Sequence, residues 1–234
     1  MEAYIYNYLI EREIRKVKAP VANGLILTIS RQFGTQTRKA AEILIDQLNK
    51  EEIGFQIHKR PWKLIDYTVL HNLSKELKVG INDINEFTPI EYKGIIDQIM
   101  YGLDFNRNTL DENLTKALRT VILSYFERGN VIFLGRGAVH FASGVPNVMK
   151  VNVRASEEYR IQKYAHANQL DFRYAKERVR EKDRKRRRFN AYISEQVPIK
   201  FDLVIDREEL SDEGLSDCLL SFVKMKEKEF LRKV

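Results

Sequence analysis

The sequence predicts an α/β fold in which a parallel sheet is wrapped by helices on both faces. Three observations point there. Short apolar, β-rich runs at residues 25–29, 54–57, 131–134, 148–153 and 201–206 alternate with segments of helical spacing. The run Val131, Ile132, Phe133, Leu134 is apolar at every position, the mark of a strand covered on both sides. The chain has 234 residues and is 44% hydrophobic, enough for a sizeable core.

In chain order, residues 1–19 read as a helix, with Tyr4, Tyr8 and Leu9 on one face and Pro20 as its stop. It precedes the first strand and is expected as an extension that packs on the domain or joins two copies. Residues 25–48 then run from strand through a polar turn containing Gly34 into a helix bearing Ala41, Leu44 and Leu48. The apolar positions of 54–57 predict a second strand. From Trp62 to Leu77 the spacing of Ile65, Val69 and Leu73 predicts a helix. Residues 78–110 carry Gly80, Pro89, Gly94 and Gly102, which suits an insertion of short helical pieces. A helix follows from Asp111 to Arg128, stopped by Gly129. After the strand at 148–153, Ser156 caps a helix with Glu157 and Glu158 in its first turn. A basic helix runs over 171–193. The strand at 201–206 leads into a terminal helix opened by Ser211 and turning Leu215, Leu219, Phe222 and Val223 inward. Residues 20–234 are thus expected to form a single domain.

Composition narrows the function. No apolar run approaches the ~18 residues of a membrane span. The N-terminus shows no signal-peptide pattern. Cys218 is the single cysteine, which rules out an internal disulfide and fits a reducing cytoplasm. His58, His71, His140 and His166 are scattered without metal-ligand spacing, and read as surface or core residues. Net charge is +7, and between Arg173 and Arg188 ten Arg or Lys residues face three acids. Such a stripe attracts polyanions, whether nucleotide phosphates or a nucleic-acid backbone.

Three segments converge if the sheet is parallel, because open α/β sheets bind ligands at the carboxyl ends of their strands. Strand, turn and helix over 25–48 have the layout of a P-loop, where backbone N–H groups and a helix start cradle phosphates. Gly34 permits close approach there, and Arg38 or Lys39 supplies charge; an ordinary strand-to-helix turn is the plainer alternative. Gly135-Arg136-Gly137 follows a buried strand and would aim a planar guanidinium at a phosphate or base edge. A tight turn with a surface arginine would look the same. On the basic helix, Arg184, Arg187 and Arg188 can share a face, with Asp183 placed to orient one of them. They would clamp phosphates, bind nucleic acid, or form a solvated face.

At these residues the chain resembles the cytidylate kinase-like family of P-loop nucleoside monophosphate kinase relatives. Ile29-Ser30-Arg31-Gln32-Phe33-Gly34 is similar to that family's first signature, and Val131-Ile132-Phe133-Leu134-Gly135-Arg136-Gly137-Ala138 to its second. Val151 through Arg160 resembles the strand and helix that follow. Asp183-Arg184-Lys185-Arg186-Arg187 resembles the arginine-rich lid, and Phe201 through Asp206 the closing strand. Ile65-Asp66, Leu70 and Lys75-Glu76 resemble the substrate-side helix more loosely. The likeness spans roughly residues 25–225.

The resemblance implies a three-layer P-loop NTPase-like fold with a five-stranded parallel sheet, an acceptor-side insertion at 78–110 and a lid-like helix at 171–193. It implies transfer of the ATP γ-phosphoryl to a nucleotide such as CMP. Gly34, Thr35, Gln36, Thr37, Arg38 and Lys39 would hold the donor phosphates. Arg136, Gly135, Gly137, Asp66 and Arg31 would bind the acceptor. Arg184, Arg186 and Arg187 would close over the transferring group, with Asp183 orienting them. Mg²⁺ would arrive with ATP, Thr35 or Thr37 offering a hydroxyl. The family's turn usually reads Gly-Ser-Gly-Gly-Arg, whereas here it reads Gly34-Thr35-Gln36-Thr37-Arg38, and no Walker-type Asp follows 131–134. Hence the second expectation, a nucleotide-binding module of the same fold with weakened transfer. A third and remoter one is a nucleic-acid binder using the 173–188 stripe; with no recognisable nucleic-acid motif, nucleotides rather than nucleic acids are the expected partners.

Overall fold

The computed structural model describes residues 23–57, 59–66, 112–142, 144–193 and 198–232. The helix expected at 1–19, the insertion at 78–110, and Leu70, Lys75 and Glu76 lie outside them.

Five strands form one parallel sheet: β1 (Ile26–Arg31), β2 (Lys63–Ile65), β3 (Val131–Leu134), β4 (Val148–Arg154) and β5 (Leu203–Asp206), in the spatial order β2-β3-β1-β4-β5. Register places Ile26 opposite Val131 and Val148, and Val151 opposite Leu203. Among the described residues five α-helices accompany them: α1 (Thr37–Lys50), α2 (Glu112–Arg128), α3 (Glu157–Asn168), α4 (Phe172–Ile193) and α5 (Asp212–Leu231). A 3₁₀ turn spans Ala138–Ala142.

The alternation of side chains along the central strands sorts the core into two layers. Ile26, Val131 and Phe133 face α2, the 3₁₀ turn and the end of α4, where Ile122, Phe126, Phe189 and Ile193 close the packing. Leu27, Ile29, Ile132, Leu134, Met149, Val151 and Val153 face α1 and α5 through Leu44, Leu48, Leu215 and Leu219. Each such fully buried side chain is worth ~1.5–3 kcal/mol, so the sandwich on both faces of β1 and β3 makes those two strands the rigid centre. Helix starts follow sequence chemistry. Ser156 Oγ accepts from Tyr159 N at 3.2 Å, and Ser211 Oγ accepts from Gly214 N at 3.0 Å. Among the described residues no helix is long and apolar enough to cross a membrane.

The second strand departs from expectation. Residues 54–57 coil in consecutive turns, with Phe55 N donating to Glu52 O and Ile57 N to Gly54 O. Gly54 takes φ +82° and donates its N–H to Glu227 Oε1 at 2.5 Å. Ile53, Phe55 and Ile57 satisfy their apolar demand by packing on the α1–α5 layer. The strand is instead Lys63–Ile65, read from sequence as the beginning of a helix. Trp62 sets it: its indole donates to Ile53 O, its amide to Asn49 Oδ1, and Lys63 then pairs alongside Val131.

Candidate active site

All five strands are parallel, so the turns after β1, β2 and β3 emerge side by side. β1 and β3 are neighbours, yet their connections leave in opposite directions, toward β2 and toward β4. That divergence opens a crevice at the carboxyl ends, the usual ligand position in such sheets.

One wall is the turn from β1 into α1. Gly34 has φ +88°, and a Cβ there would sit 2.8 Å from Arg160 O. Gln36, the N-cap of α1, is left-handed (φ 48°, ψ 38°) and gives no side-chain cap; its amide donates instead to Lys163 O on α3 at 3.0 Å. The first turn of α1 holds no acid. Its N–H groups and dipole are therefore available to an anion. Thr35 and Thr37 are each 1% exposed. Their hydroxyls lie 2.9 Å apart, and Thr35 Oγ1 donates to Gln32 O at 3.1 Å. With Thr35 donating to Gln32 O, the proton between the two hydroxyls is that of Thr37, so both side chains are tied within the turn. Arg38 meets Glu42 at 2.8 Å and, across the crevice, Asp66 at 2.9 Å. Glu42 and then Asp66 raise its pKa above the ordinary arginine value. Lys39 turns the other way, to Asp212 on α5 at 3.5 Å.

The opposite wall is the turn after β3. Gly135, Arg136 and Gly137 take φ of +80°, +60° and +68°, three left-handed residues in succession. A Cβ on Gly135 would collide with Arg31 Nη1, and one on Gly137 would press on Ile193 and Phe189. Gly135 therefore makes room for Arg31, and Gly137 for α4. Arg31 sits at the end of β1 between the walls. Desolvation, followed by the charges of Arg186 and Arg136, lowers its pKa to about 9, with Asp66 opposing and Arg38 adding to the effect.

The roof is α4. Phe189 and Ile193 anchor its end in the core. Arg186 Nη1 donates to Arg31 O at 2.9 Å while its guanidinium lies 5.4 Å over the Phe33 ring. Burial lowers the Arg186 pKa, Asp183 opposes this, and Arg160 adds to it.

Arg31, Arg136, Arg186, Arg38 and Asp66 are thus brought together. Arg184 and Arg187 are not: both are exposed on the outer side of α4. Asp183, expected to orient the lid arginines, makes its ion pair with Arg160 at 2.6 Å, accepts from Phe33 N at 3.2 Å and acts on Arg186 through its charge. Two residues given no role from sequence prove central to the geometry. Arg160, 4% exposed, also donates to Phe33 O at 3.0 Å. Phe33 packs edge-on to Tyr164 with ring centroids 4.9 Å apart. Together they clamp the β1 turn to α3 and α4. The buried arginine inside the motif from Val151 to Arg160 was the available signal, but its burial is set by tertiary packing. Among the described residues no three His, Cys, Asp or Glu side chains are grouped to hold a metal.

This architecture is consistent with a P-loop NTPase-like fold. No curated protein matches the chain significantly. Among solved structures, an uncharacterized protein from Eubacterium ventriosum superposes with TM-score 0.56 at 14% identity, over 86% of this chain and 98% of its own. TT1252 from Thermus thermophilus aligns with TM-score 0.44 at 14% identity, over 89% of this chain and 98% of its own. The cytidylate kinase-like family model matches residues 26–209, which contain the sheet, both crevice walls and the arginine helix. The chain belongs to the cytidylate kinase-like family, whose fold is kinase-like and nucleotide-binding.

Proposed function

We propose that the protein is a phosphotransferase of the nucleoside monophosphate kinase type, moving the ATP γ-phosphoryl to a nucleotide such as CMP. The observation that carries this reading is the convergence of Arg31, Arg136 and Arg186 on the crevice between β1 and β3. Their mutual repulsion, added to desolvation, pulls Arg31 down to about 9, and a bound phosphate would relieve it. The uncapped start of α1, with Arg38, takes the donor phosphates. Arg31 and Arg136 take the acceptor phosphate across the crevice. Arg186 stabilises charge on the transferring group, and Arg184 and Arg187 add to it when nucleotides draw α4 over them. Asp66 contacts the acceptor and keeps Arg38 aligned until donor phosphates compete for it. Catalysis is by positioning and charge, without a covalent intermediate. Mg²⁺ would arrive on the ATP phosphates and neutralise part of their charge, with Thr35 or Thr37 offering a hydroxyl. The reading takes residues 20–234 as one cytoplasmic domain, with 1–19 as an extension that packs on it or joins two copies.

A nucleotide-binding module with weakened transfer is the second reading. Gln36 stands in a left-handed position where the family usually has glycine, and the hydroxyls of Thr35 and Thr37 are bonded to each other. A coupled ADP-release assay with ATP–Mg²⁺ and CMP, dCMP, UMP or AMP separates the two. Acceptor-dependent ADP release, lost in Arg136→Ala, is the outcome expected of a kinase. Nucleotide binding without release would leave the module, and thermal shift with neither nucleotide would remove both.

A further inference from the structure

At the far end of the donor turn, one carboxylate serves two cations. Asp212, the first residue of α5, accepts from Arg207 Nη2 at 2.5 Å through Oδ1, and faces Lys39 Nζ at 3.5 Å through Oδ2. The two cations differ sharply. The Lys39 side chain is 68% exposed, while Arg207 is 4% exposed at the carboxyl end of β5. Arg207 Nε and Nη1 are buried and lack any hydrogen-bond partner. An orphaned, buried N–H of a charged group is costly, and native structures seldom leave one without a reason. Asp212 has a second oxygen that would cure one of these orphans by closing a bidentate fork on the guanidinium. That oxygen is turned to Lys39.

We propose that Asp212 is a positioning residue that holds Lys39 beside the donor turn and releases it to an incoming polyphosphate, closing bidentate on Arg207 as it does so. This rests on reading residues 34–39 as the donor-phosphate turn. The arrangement suits an exchange. The Lys39–Asp212 contact is long and solvent-facing, of the kind worth little, whereas a polyphosphate on the uncapped start of α1 offers Lys39 several negative oxygens. The orphaned Arg207 donor supplies a second gain on the same movement. Occupancy of the turn is thereby transmitted to the start of α5, whose inward face packs on α1.

The test is titration calorimetry of the full chain with sodium tripolyphosphate, for wild type, Asp212→Asn, Lys39→Met and the double variant. Lys39→Met should weaken binding about tenfold, the loss expected for one charge-assisted hydrogen bond. Asp212→Asn should weaken it about threefold, because the second Arg207 hydrogen bond gained on release outweighs the exposed ion pair given up, and that loss should vanish in the Lys39→Met background. Tightening, or an equal change with and without Lys39, would overturn the exchange. Should Asp212→Asn fail to fold, the Arg207 Nε–H resonance in the other two proteins decides. It should move downfield when tripolyphosphate binds wild type, and lie near that position in Lys39→Met before any ligand is added. Binding without movement of that resonance would overturn the exchange alone. Failure of wild type to bind tripolyphosphate would overturn the donor-turn reading as well.

Discussion

The turns after β1 and β3 end adjacent strands and face each other across one crevice, yet they keep their shapes by opposite means. The β3 turn is held by its own backbone: glycines at 135 and 137 flank Arg136, and all three residues are left-handed. The β1 turn retains only Gly34 and is held from outside. Arg160 and Asp183 grip the backbone of Phe33, Gln36 reaches to Lys163, and the threonine hydroxyls tie 35 to 37. Side-chain scaffolding stands in for backbone freedom on the β1 side, which is how a turn short of glycine still presents an uncapped helix start. The two walls should therefore fail differently when perturbed.

The largest effect falls on the external clamp. Arg160→Ala removes the 2.6 Å partner of Asp183 from a pair whose side chains are only 5% and 14% exposed. Breaking such a pair costs ~3–5 kcal/mol, to be read as a lower urea midpoint. A loss under ~1 kcal/mol would show that the β1 turn does not depend on the clamp. Next comes Gly135→Ala. A left-handed alanine costs ~1–2 kcal/mol, and the new methyl displaces Arg31. CMP affinity should fall well beyond that stability change while ATP affinity holds. Loss of both together would mean the walls are not separable.

A pH series gives the third comparison. Arg31 is lowered in the folded protein from the ordinary arginine value to about 9, first by desolvation and then by Arg186 and Arg136. The cost of keeping it charged is fully present below pH 9 and is relieved as pH climbs toward the unfolded value. An acceptor that needs the charged form should bind at constant strength below that point. Above it, affinity should fall by up to ~tenfold per pH unit, and that loss should disappear in Arg31→Gln. The smallest effect is expected at Gln36→Gly. Relief of the left-handed strain, worth ~1 kcal/mol, is offset by the entropy of glycine and loss of the Lys163 contact. A change in melting temperature of a few degrees at most should result.

Most of the fold was legible because β1, β3, β4 and β5 are apolar runs and the helices carry clear periodicity. β2 was not. It is three residues long and exists through pairing with β3, while the more strand-like pattern of Ile53, Phe55 and Ile57 is spent on a coiled turn against α1 and α5. In the site, Arg136 was legible because glycines on both sides mark a backbone that must bend sharply. Among the lid arginines, the sequence shows a basic run but not which member turns inward. The packing of Phe189 and Ile193 decides that, and it selects Arg186 over Arg184 and Arg187. The contacts of Arg160 and Asp212 were illegible because Asp183 lies 23 positions along the chain from Arg160, and Lys39 lies 173 from Asp212.

The most direct test of the crevice is calorimetric titration of wild type and Arg136→Ala with CMP and, separately, with ATP–Mg²⁺. Wild type should bind both, and Arg136→Ala should lose CMP binding while keeping ATP–Mg²⁺ within about twofold, since Arg136 stands on the β3 wall and screening weakens its charge at the β1 wall. CMP binding that survives the loss of Arg136, or ATP–Mg²⁺ binding that disappears with it, would contradict the assignment of the two walls to two different phosphates.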